Sequence, residues 1–315
     1  MPTRNIRFYL APQFSMMSVL SLTEVLRKAN EVSGNQLYSY EFVSESASVE
    51  AINGMAVATR TDLPRDPTLA AVIVCASYQY HRAYTERLAQ WLRWLDRHDV
   101  ALGAADTGIF LVTRAGVHWN GPLCCHWLTR PALQEEYPEA EISNRFFEYK
   151  PKRFSCAGAT AGLDLMLHMV GEHHGKGFAA RVGSHLIFGT DMHRSESQQS
   201  PLADYTSRVD DRSLLRVLQM MEQSGGPKRA IPALANVVGL SHSQLNRLFK
   251  RLLGETPARI YQISRLRRAH ALMKSTTLSV EIVAYECGFA SRSQFTGAFK
   301  AEFGIAPSAI RGGYR

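Results

Sequence analysis

Asp106 has small residues two positions before and two positions after it, in the stretch Ala104-Ala105-Asp106-Thr107-Gly108. The stretch follows the apolar run VALGAA and opens a helix-like segment, GIFLVTR. That spacing relieves the crowding of a sharp strand-to-helix turn, the geometry that lifts a functional side chain above the end of a sheet. A carboxylate at the apex cannot replace a thiolate in amide hydrolysis. It can bind, because helix N-terminal amides and the ends of parallel strands converge there. Asp106 also reads as a possible N-cap of the following helix, a role compatible with binding.

A second kind of chemistry is written near the C-terminus. The segment IPALANVVGLSHSQLNRLFKRLLGETPARI (231–260) recurs as VEIVAYECGFASRSQFTGAFKAEFGIAPSAI (280–310). Ala235, Gly239 and Leu240 match Ala284, Gly288 and Phe289 at an offset of 49, and Leu245, Phe249, Gly254 and Pro257 match Phe295, Phe299, Gly304 and Pro307 at 50. One residue has therefore entered the turn. Each copy predicts a short helix, a turn at a glycine able to take positive φ, an N-cap at Ser241 or Ser291, and a second amphipathic helix. That order is a helix-turn-helix. With Leu245 and Phe249, or Phe295 and Phe299, facing inward, the opposite polar face is free to enter a major groove.

Charge agrees with this division. Residues 213–315 carry fifteen Lys and Arg against five Asp and Glu, a net of +10, whereas the rest of the chain carries 21 against 23, a net of −2. A basic excess confined to one end describes a polyanion-binding module attached to a nearly neutral one. Two copies are too few for a solenoid. The intervening segment, roughly 257–274 with ARIYQISRLRRAHALMK, reads as a long basic helix that fixes their spacing, about 34 Å or roughly 10 bp if both second helices enter successive grooves.

The C-terminal hundred residues resemble the AraC/XylS family of bacterial regulators through ALANVVGLSHSQLNRLFKRLLGETP, SRLRRAHALM and VAYECGFASRSQFTGAFKAEFGIAPSAIR, taken in that order. The resemblance places the DNA-facing positions on His242, Ser243, Asn246 and Arg247 and on Arg292, Ser293, Thr296 and Gly297. The chemistry of the residues agrees for most of them: Arg pairs with guanine O6 and N7, Asn with adenine, and Ser or Thr bonds bases or phosphates. Gly297 departs from the long polar side chain that relatives place there. Arg292 is the first candidate for base readout, with phosphate contact as its alternative. Lys250 and Lys300 read as backbone contacts or as plain exposed charge. Ser241 and Ser291 complete the DNA-facing set.

Upstream, apolar runs at 6–10, 38–44, 70–76 and 100–105 alternate with helical stretches at 18–30 and 86–98, and further helices are expected at 161–174 and 177–189. This alternation predicts an α/β domain, a largely parallel sheet sandwiched by helices, followed by an all-α C-terminal domain with two helix-turn-helix units. The domains are expected at 1–192 and 208–315, with the polar stretch 193–207 as linker. Together with PQFSMMSVLSLTEVLRKAN, DTGIFLVTRAG and His126-Trp127, the elbow resembles the class I glutamine amidotransferase-like, flavodoxin-like domain fused to some AraC-type regulators, over roughly residues 4–190. In enzymes of that superfamily the elbow bears a cysteine activated by a histidine. Here the elbow position is Asp106, with His126 in a partner position and Glu24 as a third carboxylate, so the resemblance implies ligand binding by Glu24, Asp106, Thr107, His126 and Trp127 rather than catalysis.

Tyr78, Tyr80, Trp119 and Trp127 are candidates for an aromatic pocket around a cationic ligand. Asp106-Thr107-Gly108 also spells the tripeptide of aspartic proteases, but a single copy in an α/β pattern lacks the second carboxylate that shares the proton. His168, His173 and His174 do not place two ligands at i and i+4, so exposed helix-end positions are expected and no metal or cofactor is assigned. Cys75, Cys124, Cys125, Cys156 and Cys287 contain no C-x-x-C and read as reduced packing residues, the adjacent pair half-buried on opposite faces of a strand. No apolar run reaches 18 residues and the opening stretch lacks a secretory core, so a soluble, cytoplasmic protein is expected. The resemblance implies double-stranded promoter DNA, a small effector such as an amine or amino-acid derivative (betaine-like compounds or arginine), RNA polymerase and a homodimer as partners, and activation of a catabolic operon. The rival is an amidase- or isomerase-like enzyme with a DNA-binding appendage, whose mark would be a thiol at the elbow.

Overall fold

Strongly β-branched and aromatic runs form the strands of the first unit. In the computed structural model, which describes residues 2–77, 79–188, 198, 202–206, 208–223, 229–275 and 278–310, the chain divides into two units, Met1–Gln198 and Gln199–Arg315. The first holds β1 (Arg4–Leu10), α1 (Met16–Ser33), β2 (Tyr38–Val43), β3 (Ser48–Glu50), β4 (Ala56–Ala58), β5 (Ala71–Ala76), α2 (Glu86–Arg97), β6 (Ala101–Asp106), α3 (Gly108–Arg114), α4 (Arg130–Glu136), β7 (Phe147–Lys150), β8 (Arg153–Cys156), α5 (Ala161–His174) and α6 (Lys176–His185). A six-stranded sheet runs β2-β1-β5-β6-β8-β7, parallel except for β7, and β3 with β4 makes a separate hairpin.

β5 is buried along its whole length, as expected for a strand covered on both faces. On one face Phe8, Ile73 and Cys156 pack with Val19, Leu22, Leu26, Leu165 and Met169 of α1 and α5. On the other, Tyr9 meets Trp91 of α2, ring centroids 6.2 Å apart. α1 begins at Ser15, whose side chain accepts from the Ser18 amide, and ends at Gly34 in the left-handed conformation. The histidines of α5 are less exposed than expected. His173 Nδ1 lies 2.9 Å from the Tyr38 hydroxyl, His174 packs edge-on to the same ring, and only His168 is exposed. Burial lowers the His173 pKa to about 4, so it is neutral at pH 7.

The second unit contains α7 (Ala203–Thr206), α8 (Arg212–Gln223), α9 (Ile231–Val237), α10 (His242–Leu253), α11 (Pro257–Ser275), α12 (Val280–Glu286), α13 (Arg292–Phe303) and α14 (Pro307–Ile310). Its core joins Leu214, Val217, Leu218 and Met221 of α8 to Leu234 of α9, Leu245 and Phe249 of α10, and Ile260 and Tyr261 of α11. No helix among the described residues is long and apolar enough to cross a membrane.

The expected linker 193–207 falls partly outside the described residues, and its described part is not free of structure. Gln198 is buried in the first unit, its amide group donating to the Cys125 and Arg145 carbonyls at 2.8 Å each. Leu202 is fully buried in the core of the second unit, and Ala203–Thr206 is helical. Polarity hid these anchors because a single apolar residue in a polar stretch carries no periodicity. A fragment 199–315 should therefore be more stable than 208–315, by about 2–3 kcal/mol for the lost leucine burial alone. Paired urea titrations check this, and equal midpoints would remove Leu202 from the folding unit.

Candidate functional site

β6 ends and α3 begins within two residues, which forces the chain through a sharp turn. Asp106 takes it with φ 58°, a left-handed conformation rare for a residue with a side chain. Gly108 makes the turn possible: a Cβ there would lie 2.0 Å from the Val74 carbonyl oxygen of the neighbouring strand. Thr107, not Asp106, occupies the N-cap position, without a capping side-chain bond, and its hydroxyl donates to the Ser77 carbonyl at 2.6 Å. Asp106 is therefore released from capping. Gly158, itself at φ 83°, lies so close that a Cβ there would approach the Asp106 Cβ to 2.7 Å.

The carboxyl opens on a cavity of about 180 Å³ lined by Ser15, Ile52, Ser77, Asp106, Thr107, His126, Leu128, Thr129 and Ala159. Burial raises the Asp106 pKa to about 7, partly offset by hydrogen bonds from Ser77 and the Thr107 amide. Burial, with nearby Arg130, lowers that of His126 to about 4. The Leu128 amide donates to His126 Nδ1 at 3.3 Å, so the neutral ring carries its proton on Nε2 and is a donor. Near pH 7 the cavity thus offers one carboxyl in mid-titration, one neutral imidazole and several hydroxyls.

Three of the expected ligand residues, Asp106, Thr107 and His126, are brought together here, and the others are not. Glu24 lies on the surface of α1 in an ion pair with Arg27 at 2.8 Å. Trp127 sits beside the His126 ring, centroids 5.6 Å apart, but does not line the cavity. Tyr78 lies outside the described residues. Tyr80 is stacked on Phe110 at 4.1 Å in the interior, and Trp119 lines a separate groove with Tyr137. The three described aromatic candidates, Tyr80, Trp119 and Trp127, therefore form no common cage. Sequence reasoning missed Ser15, Ser77 and Thr129; the first two follow or end strands at the same sheet edge as Asp106, a signal that parallel topology would have supplied. Cys124 and Cys125 are fully buried, outside any named strand, because each is enclosed by the segment leading to β7 and β8 rather than by a half-exposed ladder. Among the described residues no group of three His, Cys, Asp or Glu could hold a metal.

In the second unit the two helix-turn-helix copies share most of their local bonding. Gly239 and Gly288 both take φ 70°, and the amides of Leu240 and Phe289 bond the carbonyls of Ala235 and Ala284. Ser241 and Ser291 cap α10 and α13, accepting from the amides of Gln244 and Gln294. Gln244 returns the bond to the Ser241 amide and completes a capping box, whereas Gln294 accepts from the Ala290 amide, one residue ahead of the cap. Leu245, Phe249, Phe295 and Phe299 are fully buried, while His242, Ser243, Arg247, Lys250, Arg292, Ser293 and Lys300 are exposed and Asn246 and Thr296 half-exposed. Asn246 Nδ2 lies 3.0 Å from His242 Nε2, an intrahelical pair at i and i+4. Gly297 leaves open space on α13.

Asp106 titrates near 7 in the folded chain against about 3.9 unfolded. With the folded value raised, the stability it allows is full below the unfolded pKa and is lost as pH rises through about 7. Asp106→Asn, neutral throughout, should be more stable than wild type by about 2–4 kcal/mol at pH 8 and similar to it at pH 4. Thermal melts across that range check this, and parallel curves would show that the carboxyl is hydrated.

Residues 234–313 match a helix-turn-helix domain family. The chain is 35% identical over 310 residues to the HTH-type transcriptional regulator CdhR of Pseudomonas aeruginosa, covering 98% of this chain and 92% of that protein. A solved AraC family transcriptional regulator from Pseudomonas putida is similar at TM-score 0.53 and 26% identity, over 58% of this chain and 99% of that one. The fold of the first unit is also that of Drosophila melanogaster DJ-1beta, at TM-score 0.50 and 14% identity, over 60% of this chain and all of that one. The chain belongs to the AraC family of helix-turn-helix DNA-binding transcriptional regulators, and its N-terminal domain has the fold of DJ-1beta.

Proposed function

We propose that the protein is a ligand-responsive regulator whose effector binds the Asp106–His126 cavity and whose α10 and α13 read promoter DNA. The observation that carries the sensing half is the left-handed Asp106, whose carboxyl lines a partly open, hydroxyl-rich cavity at the end of a parallel sheet. The relatives being transcriptional regulators favours binding over turnover at this site. An effector bearing a protonated nitrogen matches an acceptor carboxylate with the neutral His126 donor beside it. Activation through RNA polymerase is the output this reading implies.

Such an effector needs Asp106 ionised, so its affinity should rise up to about tenfold per pH unit below 7 and level off above it. A thermal-shift screen of small nitrogenous metabolites, followed by calorimetry between pH 6 and 8, checks this. Asp106→Ala and His126→Ala should weaken the binding of any hit while DNA affinity is retained. Unchanged affinity in both variants would place the effector elsewhere.

For the reading helices, Arg247 and Arg292 are exposed guanidinium groups of α10 and α13, and Arg251 is a further one in the last turn of α10. If each pairs with a guanine, its replacement by Ala should cost about 1–3 kcal/mol on the cognate site and relax preference at a single position, the two positions being roughly 10 bp apart. A phosphate contact would instead weaken all sequences alike and reduce the salt slope by about one unit. Selection of binding sites from random DNA by each variant separates the two roles.

A further inference from the structure

The two reading units are alike locally, yet they are fastened to the rest of the domain in different ways. Arg265, in the middle of α11, is 8% exposed. Its Nε donates to the Cys287 carbonyl at 2.6 Å and an Nη to the Gly288 carbonyl, the two carbonyls that end α12 and make the turn of the second unit. No carboxylate among the described residues pairs with it. The guanidinium also lies 4.2 Å over the Phe289 ring. Phe289 packs on Phe295 at 5.2 Å, and Phe295 on Phe299 at 5.3 Å, so the contacts run from α11 through the turn into the buried stripe of α13. A second link closes the far end of that helix, where Arg259 of α11 pairs with Glu302 at 2.6 Å.

The first unit has neither fastening. At the offset of 49 that relates Gly239 to Gly288, Arg265 corresponds to Arg216 of α8, which is exposed. At the offset of 50 that relates the second helices, Glu302 corresponds to Leu252, 38% exposed. Among the described residues neither link has a counterpart at these two positions of the first unit. A buried guanidinium that satisfies two carbonyls has one acceptable orientation, whereas apolar packing tolerates small shifts.

We propose that Arg265 is the positioning residue of the second reading unit, fixing the turn and hence α13 in one orientation on the connecting helix while the first unit keeps freedom to adjust. This rests on α13 being the second recognition helix. Lysine at 265 can reach one carbonyl but cannot fork between two, so Arg265→Lys keeps the charge and loses the orientation. In full-length protein, Arg265→Lys should retain helicity and a cooperative melt. It should flatten the base preferences of the second half-site by about tenfold, the loss of one good bidentate base contact, while those of the first half-site persist.

The test is site selection from random DNA with wild type, Arg265→Lys, Phe289→Leu, Arg216→Ala and Arg292→Ala. Arg216→Ala should leave both half-sites unchanged. Should Arg265→Lys fail to fold, Phe289→Leu, which removes the ring face but keeps an apolar filler, carries the decision through the same selective flattening. Arg265→Lys preferences that match wild type, or that weaken equally over both half-sites, would overturn the inference and leave Arg265 a stabilising residue only. If Arg292→Ala alters no base preference anywhere, the reading of α13 fails instead, so the two failures are distinguishable.

Discussion

The first unit depends on one steric constraint, the closeness of α3 to β5 at Gly108. With the Val74 carbonyl oxygen 2.0 Å from where a Cβ would stand, only glycine lets the helix start against the sheet. The chain must then turn over two residues, and Asp106 absorbs the turn in a left-handed conformation that disfavours most side chains by about 1–2 kcal/mol. Aspartate tolerates this region better than most residues. The electrostatics follow from the same geometry. Because the turn points the carboxyl inward and Gly158 closes over it, desolvation dominates and the group titrates near 7. A chain that left the strand gradually would have a solvated aspartate with ordinary acidity.

In the DNA-binding unit the governing constraint is different, since it is the burial of an aromatic or leucine pair at i and i+4 that orients each second helix. The exposure pattern along 241–250 and 291–300 is identical at every position. Equal burial with unequal polar residues means that the two second helices share a local scaffold and present different side chains. The capping glutamines belong to the scaffold. The Asn246–His242 pair belongs to the presented face, and it must exchange for bonds to DNA if Asn246 reads a base.

Legibility followed the range of the signal. The repeat, its caps and its glycine turns were readable because each rests on residues within a few positions of one another, and the strands β1, β2, β5 and β6 were readable from continuous apolar runs. β7 and β8 were not, because FEYK and RFSC are short and half polar and become strands only by pairing with each other and with β6. The lining of the cavity was legible at Asp106, Thr107 and His126 and illegible at Ser15, Ser77 and Thr129, which join it only when separate chain segments meet. Glu24 failed for the converse reason. Its neighbours at i+3 on the helix surface capture it before any cavity can.

The absence of a thiol at the elbow has a physical sequel in the thiols that surround it. Cys125 and Cys156 are buried near Asp106 and their pKa values are pushed up to about 12, while burial raises those of Cys75 and Cys124 as well. A thiol reacts as thiolate, so at neutral pH these four are packing groups. The one group near the turn that changes charge close to pH 7 is therefore the carboxyl, and its change is reversible. A nucleophile at this turn would have to be solvated or paired to stay ionised, whereas an acid titrating near 7 is only partly ionised there, and a complementary charge in the cavity would complete its ionisation. The same burial that makes Asp106 a poor substitute for a thiolate makes it responsive to what occupies the cavity.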